Sequence, residues 1–210
     1  MLQKNDLLSV DAIIFDLGGV VLNLDYQLTI NAFKSLGKEN FEALYAQAQQ
    51  NKIFDAFETG QLSAAEFIDY LKQFLPDVKE DQQIISAWNA MLLDLPPHRI
   101  QLLEKLRNHY QLFLLSNTNE IHYQSFRETL QNRFGDLELL EKSFEKTYYS
   151  HKIEKRKPNA DAFEMVLGEN QLKAENTLFI DDTEQHILGA REVGIRTYHL
   201  KNEDILDIFS

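Results

Sequence analysis

The sequence predicts an α/β fold with a parallel sheet, and three observations lead to that prediction. Short apolar runs without polar alternation recur along the chain, as expected for strands that are buried on both faces. Segments with apolar residues at helical spacing lie between most of these runs, and such alternation is typical of a parallel sheet. One long stretch, residues 24–96, has helical patterns and no clear strand. This stretch is predicted to be a helical insert after the first strand.

The predicted strands are four well-defined apolar runs and one weaker run. In chain order they are 12–16 (AIIFD), 111–117 (QLFLLSN), the weaker 146–150 (KTYYS), 177–182 (TLFIDD) and 196–200 (RTYHL). Two glycines follow the first of them directly, so the chain makes a flexible turn there before it enters the insert.

Helices are predicted from apolar spacing and from capping residues. Outside the insert, the predicted helices are 98–110, 159–172 and 184–194. Gly194 suits the C-terminal cap of the last one. Within the insert, Ser63 and Glu66 have the spacing of a capping box at a helix N-terminus.

Composition excludes several classes of function. The 210 residues carry a net charge of −12, which argues against broad nucleic-acid binding and against adhesion to an anionic membrane. The absence of cysteine excludes disulfides, thiolate metal sites and a cysteine nucleophile. The N-terminal segment lacks the apolar core of a signal peptide, and no run approaches the length of a membrane span. A soluble, cytoplasmic protein is expected; the sequence does not indicate an oligomeric state.

Polar side chains follow three of the predicted strands at the point where each strand ends. They are Asp16 after the first strand, Ser116 and Asn117 after the second, and Asp181 and Asp182 after the fourth. Because ligands bind at the carboxyl ends of parallel strands, these groups are expected to meet in one crevice. Lys157, beside Pro158, adds a cation. One carboxylate can act as a nucleophile, a pair of carboxylates can bind Mg²⁺, and the lysine can neutralise phosphoryl oxygens. These residue types favour transfer of a phosphoryl group to an aspartate, followed by hydrolysis of the aspartyl-phosphate.

Four motifs carry a resemblance to a known family. FDLGGVV, LLSNTN, RKP and FIDD occur in the order of the motifs of the haloacid dehalogenase (HAD) superfamily. The insert resembles the small helical cap of that superfamily. The chain looks most similar to small HAD phosphatases that act on sugar phosphates, including α-glucose-1-phosphate. The resemblance implies a Rossmann-like core of residues 1–23 and 97–210, a cap of residues 24–96, and a small phosphorylated metabolite as substrate.

The resemblance also implies catalytic roles. Asp16 matches the nucleophile that forms an aspartyl-phosphate. Ser116, with the backbone of Asn117, matches the donor to the phosphate oxygens. Lys157 matches the cation that pairs with the nucleophile and the phosphate.

A Mg²⁺ site is implied in the same way. Asp182, supported by Asp181, matches the carboxylate ligand. The backbone carbonyl of Gly18 matches the remaining protein ligand beside Asp16. The metal set expected from the resemblance is therefore Asp16, Gly18, Asp181 and Asp182.

The chain departs from the family pattern at two positions. Most HAD phosphatases have a second aspartate where this chain has Gly18, and it serves as the general acid and base. Such an acid is worth about 10²–10⁴-fold in rate. Its absence favours a substrate with a good leaving group, such as a sugar 1-phosphate or an acyl phosphate. His186 stands where the family usually has Asp or Asn, and it is a candidate for holding a metal-bound water, for holding the lysine, or for replacing the missing acid.

Three other functions stay open at this point. A 2-haloacid dehalogenase uses the same aspartate without metal, but the Asp181–Asp182 pair favours the phosphatase. A catalytically weak HAD domain that binds a phosphorylated ligand or a protein is supported only by the missing second aspartate. A mutase is less favoured still, because moving a phosphoryl group depends on that acid.

Several residues have simpler structural interpretations. Lys152, Lys155 and Arg156 are expected to be surface residues around Lys157. The aromatic residues of the insert are expected to form the core of a helix bundle; they are Phe54, Phe57, Phe67, Tyr70, Phe74 and Trp88. Asp55 and Glu58 are the polar exceptions that are expected to face the crevice.

Overall fold

The α/β fold and all five predicted strands are confirmed by the computed structural model, which describes residues 10–37, 41 and 52–209. The strands are β1 (Ala12–Phe15), β2 (Gln111–Ser116), β3 (Lys146–Tyr149), β4 (Thr177–Asp181) and β5 (Arg196–His199). They form one parallel sheet in the order β3-β2-β1-β4-β5. The strand that carries the first acidic junction therefore lies in the centre of the sheet.

Helices account for most of the remaining described residues. They are α1 (Tyr26–Ser35), α2 (Ile53–Glu58), α3 (Ala64–Lys72), α4 (Asp81–Asn89), α5 (Pro97–Leu106), α6 (Glu120–Phe134), α7 (Leu139–Ser143), α8 (Ser150–Ile153), α9 (Ala160–Glu169), α10 (Glu184–Glu192) and α11 (Ile205–Ile208), with a 3₁₀ turn at Ala174–Asn176. None of the helices in the described part of the chain has both the length and the apolar character needed to cross a membrane.

The three helices predicted outside the insert are present but shorter than expected at their C-terminal ends. The first ends at Leu106, because the chain turns before β2 begins. The second ends at Glu169, shortly before Gln171 takes a left-handed conformation with φ of 54°. The third ends at Glu192, and Gly194 follows with φ of 83°, the conformation expected after a helix C-terminus.

The central strand is buried on both faces. Ile13 and Phe15 pack into the core on one side of the sheet. Ala12 and Ile14 pack into the core on the other side. This two-sided burial explains why the strand reads as a continuous apolar run.

The helices between β1 and β2 enclose a hydrophobic core of their own. Its buried aromatic residues include Phe33, Phe54, Phe57, Phe67 and Trp88. The capping box is present at the start of α3, where the backbone N–H of Glu66 donates to Ser63 Oγ at 3.3 Å and the backbone N–H of Ser63 donates to Glu66 Oε2 at 2.9 Å. Helices α1 to α4 bury their apolar faces against one another, as expected for a separate helical layer.

Two chain segments connect this helical layer to the sheet. The N–H of Asn23 donates to the carbonyl of Asp94 at 2.9 Å, and the N–H of Asp25 donates to the carbonyl of Met91 at 2.9 Å. We propose that the cap of residues 24–96 and the core of residues 1–23 and 97–210 meet at this double connection. Residues 1–9 and 210 of that core, and 38–40 and 42–51 of that cap, lie outside the described residues.

Candidate active site

The polar strand ends lie together at one edge of the sheet. Register pairs Phe15 with Leu114 on one side and with Ile180 on the other. The N–H of Asp16 continues this ladder and donates to the carbonyl of Ile180 at 2.9 Å. The central acid is thereby brought level with the ends of β2 and β4.

Lys157 joins two of the predicted acids. Its Nζ lies 2.8 Å from Asp16 Oδ1 and 2.7 Å from Asp181 Oδ2, and the side chain is 0% exposed. Burial raises the pKa of Asp16 to about 8 although Lys157 opposes the shift. Burial alone would raise the pKa of Asp181, but the charges and hydrogen bonds of Lys157 and His186 outweigh burial and hold that pKa at about 2. Asp181 is therefore the fixed ionic partner of the lysine, and Asp16 is the acid whose charge is costly.

Asn117 has a structural role that the sequence did not indicate. Its Nδ2 donates to the carbonyl of Lys157 at 2.9 Å, and the N–H of Lys157 donates to Asn117 Oδ1 at 2.9 Å. This pair of hydrogen bonds fixes the backbone of the lysine against the end of β2. The sequence predicted a role only for the backbone of Asn117. The side-chain contact could not be predicted from local sequence patterns, because Asn117 and Lys157 lie 40 positions apart.

The two glycines after Asp16 serve different purposes. Gly19 has φ of 73°, and a Cβ there would lie 2.1 Å from Asp182 Oδ2. A Cβ on Gly18 would lie 2.5 Å from Leu24 Cδ1. The carboxylate of Asp182 thus packs against the backbone of Gly19. The Leu24 side chain occupies the space that a Cβ at position 18 would need.

His186 supports Asp181. Its Nδ1 lies 3.1 Å from Asp181 Oδ1 and 3.0 Å from Oδ2. Burial lowers the pKa of His186 even though Asp181 opposes that shift. Asp181 is therefore the partner of His186 within the acidic cluster. His186 is not among the described residues that line the cavity beside Ser116.

That cavity lies between the helical layer and the strand ends and has a volume of about 100 Å³. Leu17, Gly18 and Ser116 line it from the sheet side. Apolar and aromatic residues of the insert line the opposite wall; these are Leu24, Tyr26, Phe54, Phe57, Trp88, Met91 and Leu92. Three aromatic residues that were expected to belong only to the bundle core therefore also form the wall of the cavity.

Arg156 is not the surface residue that the sequence suggested. Its guanidinium pairs with Asp55, and its Nη2 lies 2.9 Å from Glu58 Oε2. Both carboxylates come from α2, so Arg156 connects the insert to the loop that carries Lys157. The prediction that Glu58 faces the crevice is confirmed, because Glu58 lines the cavity. Lys155 does pair at the surface, with Asp161 at 2.7 Å.

The acidic cluster suits a divalent cation that prefers oxygen. Asp16, Asp181 and His186 offer ligand atoms within 4.8 Å of one another. Burial and repulsion from Asp181 raise the pKa of Asp182, which lies beside them. A bound cation would offset the negative charge that Lys157 alone leaves uncompensated.

Replacing Gly19 with alanine should destabilise the protein and weaken Mg²⁺ binding. The left-handed conformation alone costs a non-glycine residue about 1–2 kcal/mol. The new Cβ would also displace the Asp182 carboxylate, since the two would otherwise lie 2.1 Å apart. Urea denaturation and Mg²⁺ titration by calorimetry measure the two effects.

Gly135→Ala is the matched control, because Gly135 has the same φ of 73° and nothing lies within 4 Å of its would-be Cβ. We expect the control to show the conformational cost and unchanged Mg²⁺ affinity. Equal Mg²⁺ affinities for the two variants would contradict the assignment of Asp182 to the site.

Comparisons with known proteins agree with this geometry. A D-ribitol-5-phosphate phosphatase from Bacteroides thetaiotaomicron is 27% identical over 190 residues, which cover 90% of this chain and 91% of the relative. A crystal structure of an HAD family enzyme from the same species, in complex with magnesium and inorganic phosphate, is 36% identical and superposes with a TM-score of 0.86 over 96% of this chain and 100% of that chain. An HAD-like family hydrolase from Porphyromonas gingivalis is 31% identical, with a TM-score of 0.82 over 96% of this chain and 97% of that chain.

The family model of the haloacid dehalogenase-like hydrolases matches residues 13–200, which include every acid of the cluster and all of the sheet except Ala12. The expected superfamily is therefore confirmed. The chain belongs to the haloacid dehalogenase-like hydrolase family.

Proposed function

We propose that this chain, a phosphoric monoester hydrolase of the HAD family, removes phosphate from a small polyhydroxylated metabolite with the help of Mg²⁺. The observation that carries the proposal is the fully buried Lys157, which bridges Asp16 and Asp181 at the ends of adjacent strands. A buried ammonium between two carboxylates is costly to build, and such sites are typical of catalysis. The relatives that bind magnesium and phosphate, or that act on a polyol phosphate, support the same reaction.

In the proposed reaction Asp16 attacks phosphorus through a carboxylate oxygen, and the bond to the leaving oxygen breaks. An aspartyl-phosphate forms on Asp16 and is then hydrolysed by water. Lys157 orients Asp16 and neutralises charge on the phosphoryl oxygens, while the Ser116 hydroxyl donates to one of them. Asn117 keeps Lys157 in place through its two backbone hydrogen bonds.

We assign the proposed Mg²⁺ ligands to Asp16, the carbonyl of Gly18 and the paired acids Asp181 and Asp182. When bound, Mg²⁺ would supply positive charge that stabilises the phosphoryl oxygens and keeps Asp16 ionised. Asp181 is held for this purpose by Lys157 and His186, and its Oδ1 accepts from the N–H of Thr183 at 2.7 Å.

The cavity and the relative both support the proposed substrate class. A volume of about 100 Å³ limits the ligand to a small molecule, and the polar groups that line the cavity can pair with hydroxyls. The relative named for D-ribitol 5-phosphate supports a pentitol or pentose phosphate. The expectation of a 1-phosphate rests on Gly18 and on the resemblance to phosphatases that act on α-glucose-1-phosphate, whereas the relative is named for D-ribitol 5-phosphate, which has the poorer leaving group.

Phosphate release from a panel of substrates should be Mg²⁺-dependent and highest for a pentitol or pentose 5-phosphate. The panel compares ribitol 5-phosphate, ribose 5-phosphate, glucose 1-phosphate, glucose 6-phosphate and acetyl phosphate, each with Mg²⁺ and with EDTA. A preference for glucose 1-phosphate or acetyl phosphate would instead support the leaving-group argument.

Failure to release phosphate from any of these compounds would contradict the proposed function. Halide release from 2-chloropropionate would then test the dehalogenase. Binding of a phosphorylated ligand without turnover would support the non-catalytic alternative.

A further inference from the structure

Position 18 cannot supply the proton that an alcohol leaving group needs. Gly18 has no side chain, and Leu24 Cδ1 lies 2.5 Å from the place where a Cβ would stand. His186 is held by Asp181 and does not line the cavity. A proton donor for the leaving oxygen must therefore come from elsewhere on the cavity wall.

Three titratable side chains line the cavity within the described part of the chain: Tyr26, Glu58 and His122. Tyr26 lies at the rim and is 58% exposed. His122 is engaged on both sides, with Nε2 at 3.1 Å from the carbonyl of Trp88 and Nδ1 at 3.1 Å from Asn119 Nδ2. Because a carbonyl only accepts, Nε2 carries the hydrogen and donates it to Trp88, and burial lowers the pKa of His122 to about 4. His122 is therefore neutral and has no N–H left to give.

Glu58 is differently placed. It is the last residue of α2 and extends from the insert to the cavity that Gly18 and Ser116 line from below. Its buried Oε2 lies 2.9 Å from Arg156 Nη2 without the alignment of a hydrogen bond. The Glu58 side chain lines the cavity and is 27% exposed, so a group that enters the cavity can reach the carboxyl.

The charges around Glu58 favour a carboxyl that can hold a proton. Arg156 is shared between Asp55 and Glu58, so two acids face one guanidinium. The Asp55 side chain is 44% exposed and the Glu58 side chain 27%, so Glu58 is the more buried of the two acids. Burial raises the pKa of Glu58; Asp55 adds to this shift, while Arg156 and the more distant Lys157 oppose it. These three are the charged groups whose fields act on the carboxyl.

We propose that Glu58 is the proton donor and acceptor of the phosphatase reaction, in place of the side chain absent at Gly18; this rests on the proposed function. As the bond between phosphorus and the leaving oxygen breaks, the Glu58 carboxyl gives its proton to that oxygen, and the product alcohol leaves. The Glu58 carboxylate then takes a proton from the water that attacks the aspartyl-phosphate. Phosphate departs, Asp16 is regenerated and Glu58 is protonated again.

Glu58→Gln tests this role, because glutamine keeps the shape and the hydrogen bonding of the side chain but transfers no proton. We expect kcat on ribitol 5-phosphate to fall about 10²–10³-fold, within the range of a lost general acid. Release of p-nitrophenolate in the first turnover, before the aspartyl-phosphate is hydrolysed, should change by less than about 5-fold, because a nitrophenolate leaves with little need of a proton. The alkaline limb of the kcat profile on ribitol 5-phosphate should also disappear.

Asp55→Asn is the matched control, since Asp55 lies on the same helix and pairs with the same arginine. It should leave kcat on ribitol 5-phosphate and the first-turnover release of p-nitrophenolate in the same ratio as in the wild type. Equal losses of these two rates in Glu58→Gln, or a rise in KM alone, would overturn the proposal and indicate a structural or hydroxyl-binding role. Wild-type protein that turns over neither substrate would instead overturn the proposed function itself, and with it this role.

Discussion

Replacing Lys157 with methionine should lower the free energy of unfolding by about 3–5 kcal/mol, the usual cost of removing one partner from a buried ion pair. Methionine fills a similar volume, so the loss comes from charge. The side chain is 0% exposed and lies within 2.8 Å of Asp16 and Asp181, which would be left buried beside each other without a cation. The melting temperature should fall by roughly 6–20 °C, and differential scanning calorimetry measures it.

Lys155→Met is the control for this prediction. Lys155 is two positions away and pairs with Asp161 at 2.7 Å, but both side chains are partly exposed. A surface pair of this kind contributes about 0–1 kcal/mol. Adding Asp181→Asn to Lys157→Met should recover part of the lost stability, because it removes the buried carboxylate that Lys157 holds in its ionised form. Equal melting temperatures for the Lys157 and Lys155 variants would contradict the ionic role of Lys157.

The sheet and the position of the acids were predictable because both depend on local patterns. A strand buried on two faces must be apolar throughout, and Ala12–Phe15 is apolar until the chain reaches Asp16. The acid can appear only where the strand leaves the core. In a parallel sheet all such exits lie at the same edge, so the approximate location of the site follows from the strand assignments alone.

The contacts between the insert and the sheet were not predictable in the same way. Arg156 reaches Asp55 and Glu58 only because α2 is rotated so that these residues face the loop before Lys157. Apolar periodicity identifies the buried face of a helix, but it does not say which neighbour covers the polar edge. Trp88 shows the same limit, since it stacks on His122 with ring centroids 5.3 Å apart and thereby joins α4 to α6. Such pairs depend on the tertiary arrangement of separate layers.

Asp16→Asn should abolish turnover while leaving the fold intact. Asparagine has the shape of aspartate but lacks the anionic oxygen that attacks phosphorus, so we expect a loss of about 10³-fold or more in kcat, as for other nucleophile removals. Single-turnover phosphate release measures this loss. Residual activity within about 10-fold of the wild type would rule out Asp16 as the nucleophile.

The same variant should be at least as stable as the wild type in EDTA, and its advantage should grow with pH. Burial raises the folded-state pKa of Asp16 from 3.8 to about 8. A raised carboxyl pKa gives stability that is complete below about pH 4 and is lost as the pH rises through about 8. Asparagine does not titrate, so the variant avoids this loss, and the difference in unfolding free energy should increase from about pH 5 to about pH 8. Urea denaturation at both pH values measures it. A variant that loses stability relative to the wild type over this range would show that Lys157 stabilises the ionised Asp16 by more than burial costs. The expected result, lower activity with higher stability, would identify Asp16 as an acid whose negative charge destabilises the fold but is needed for catalysis.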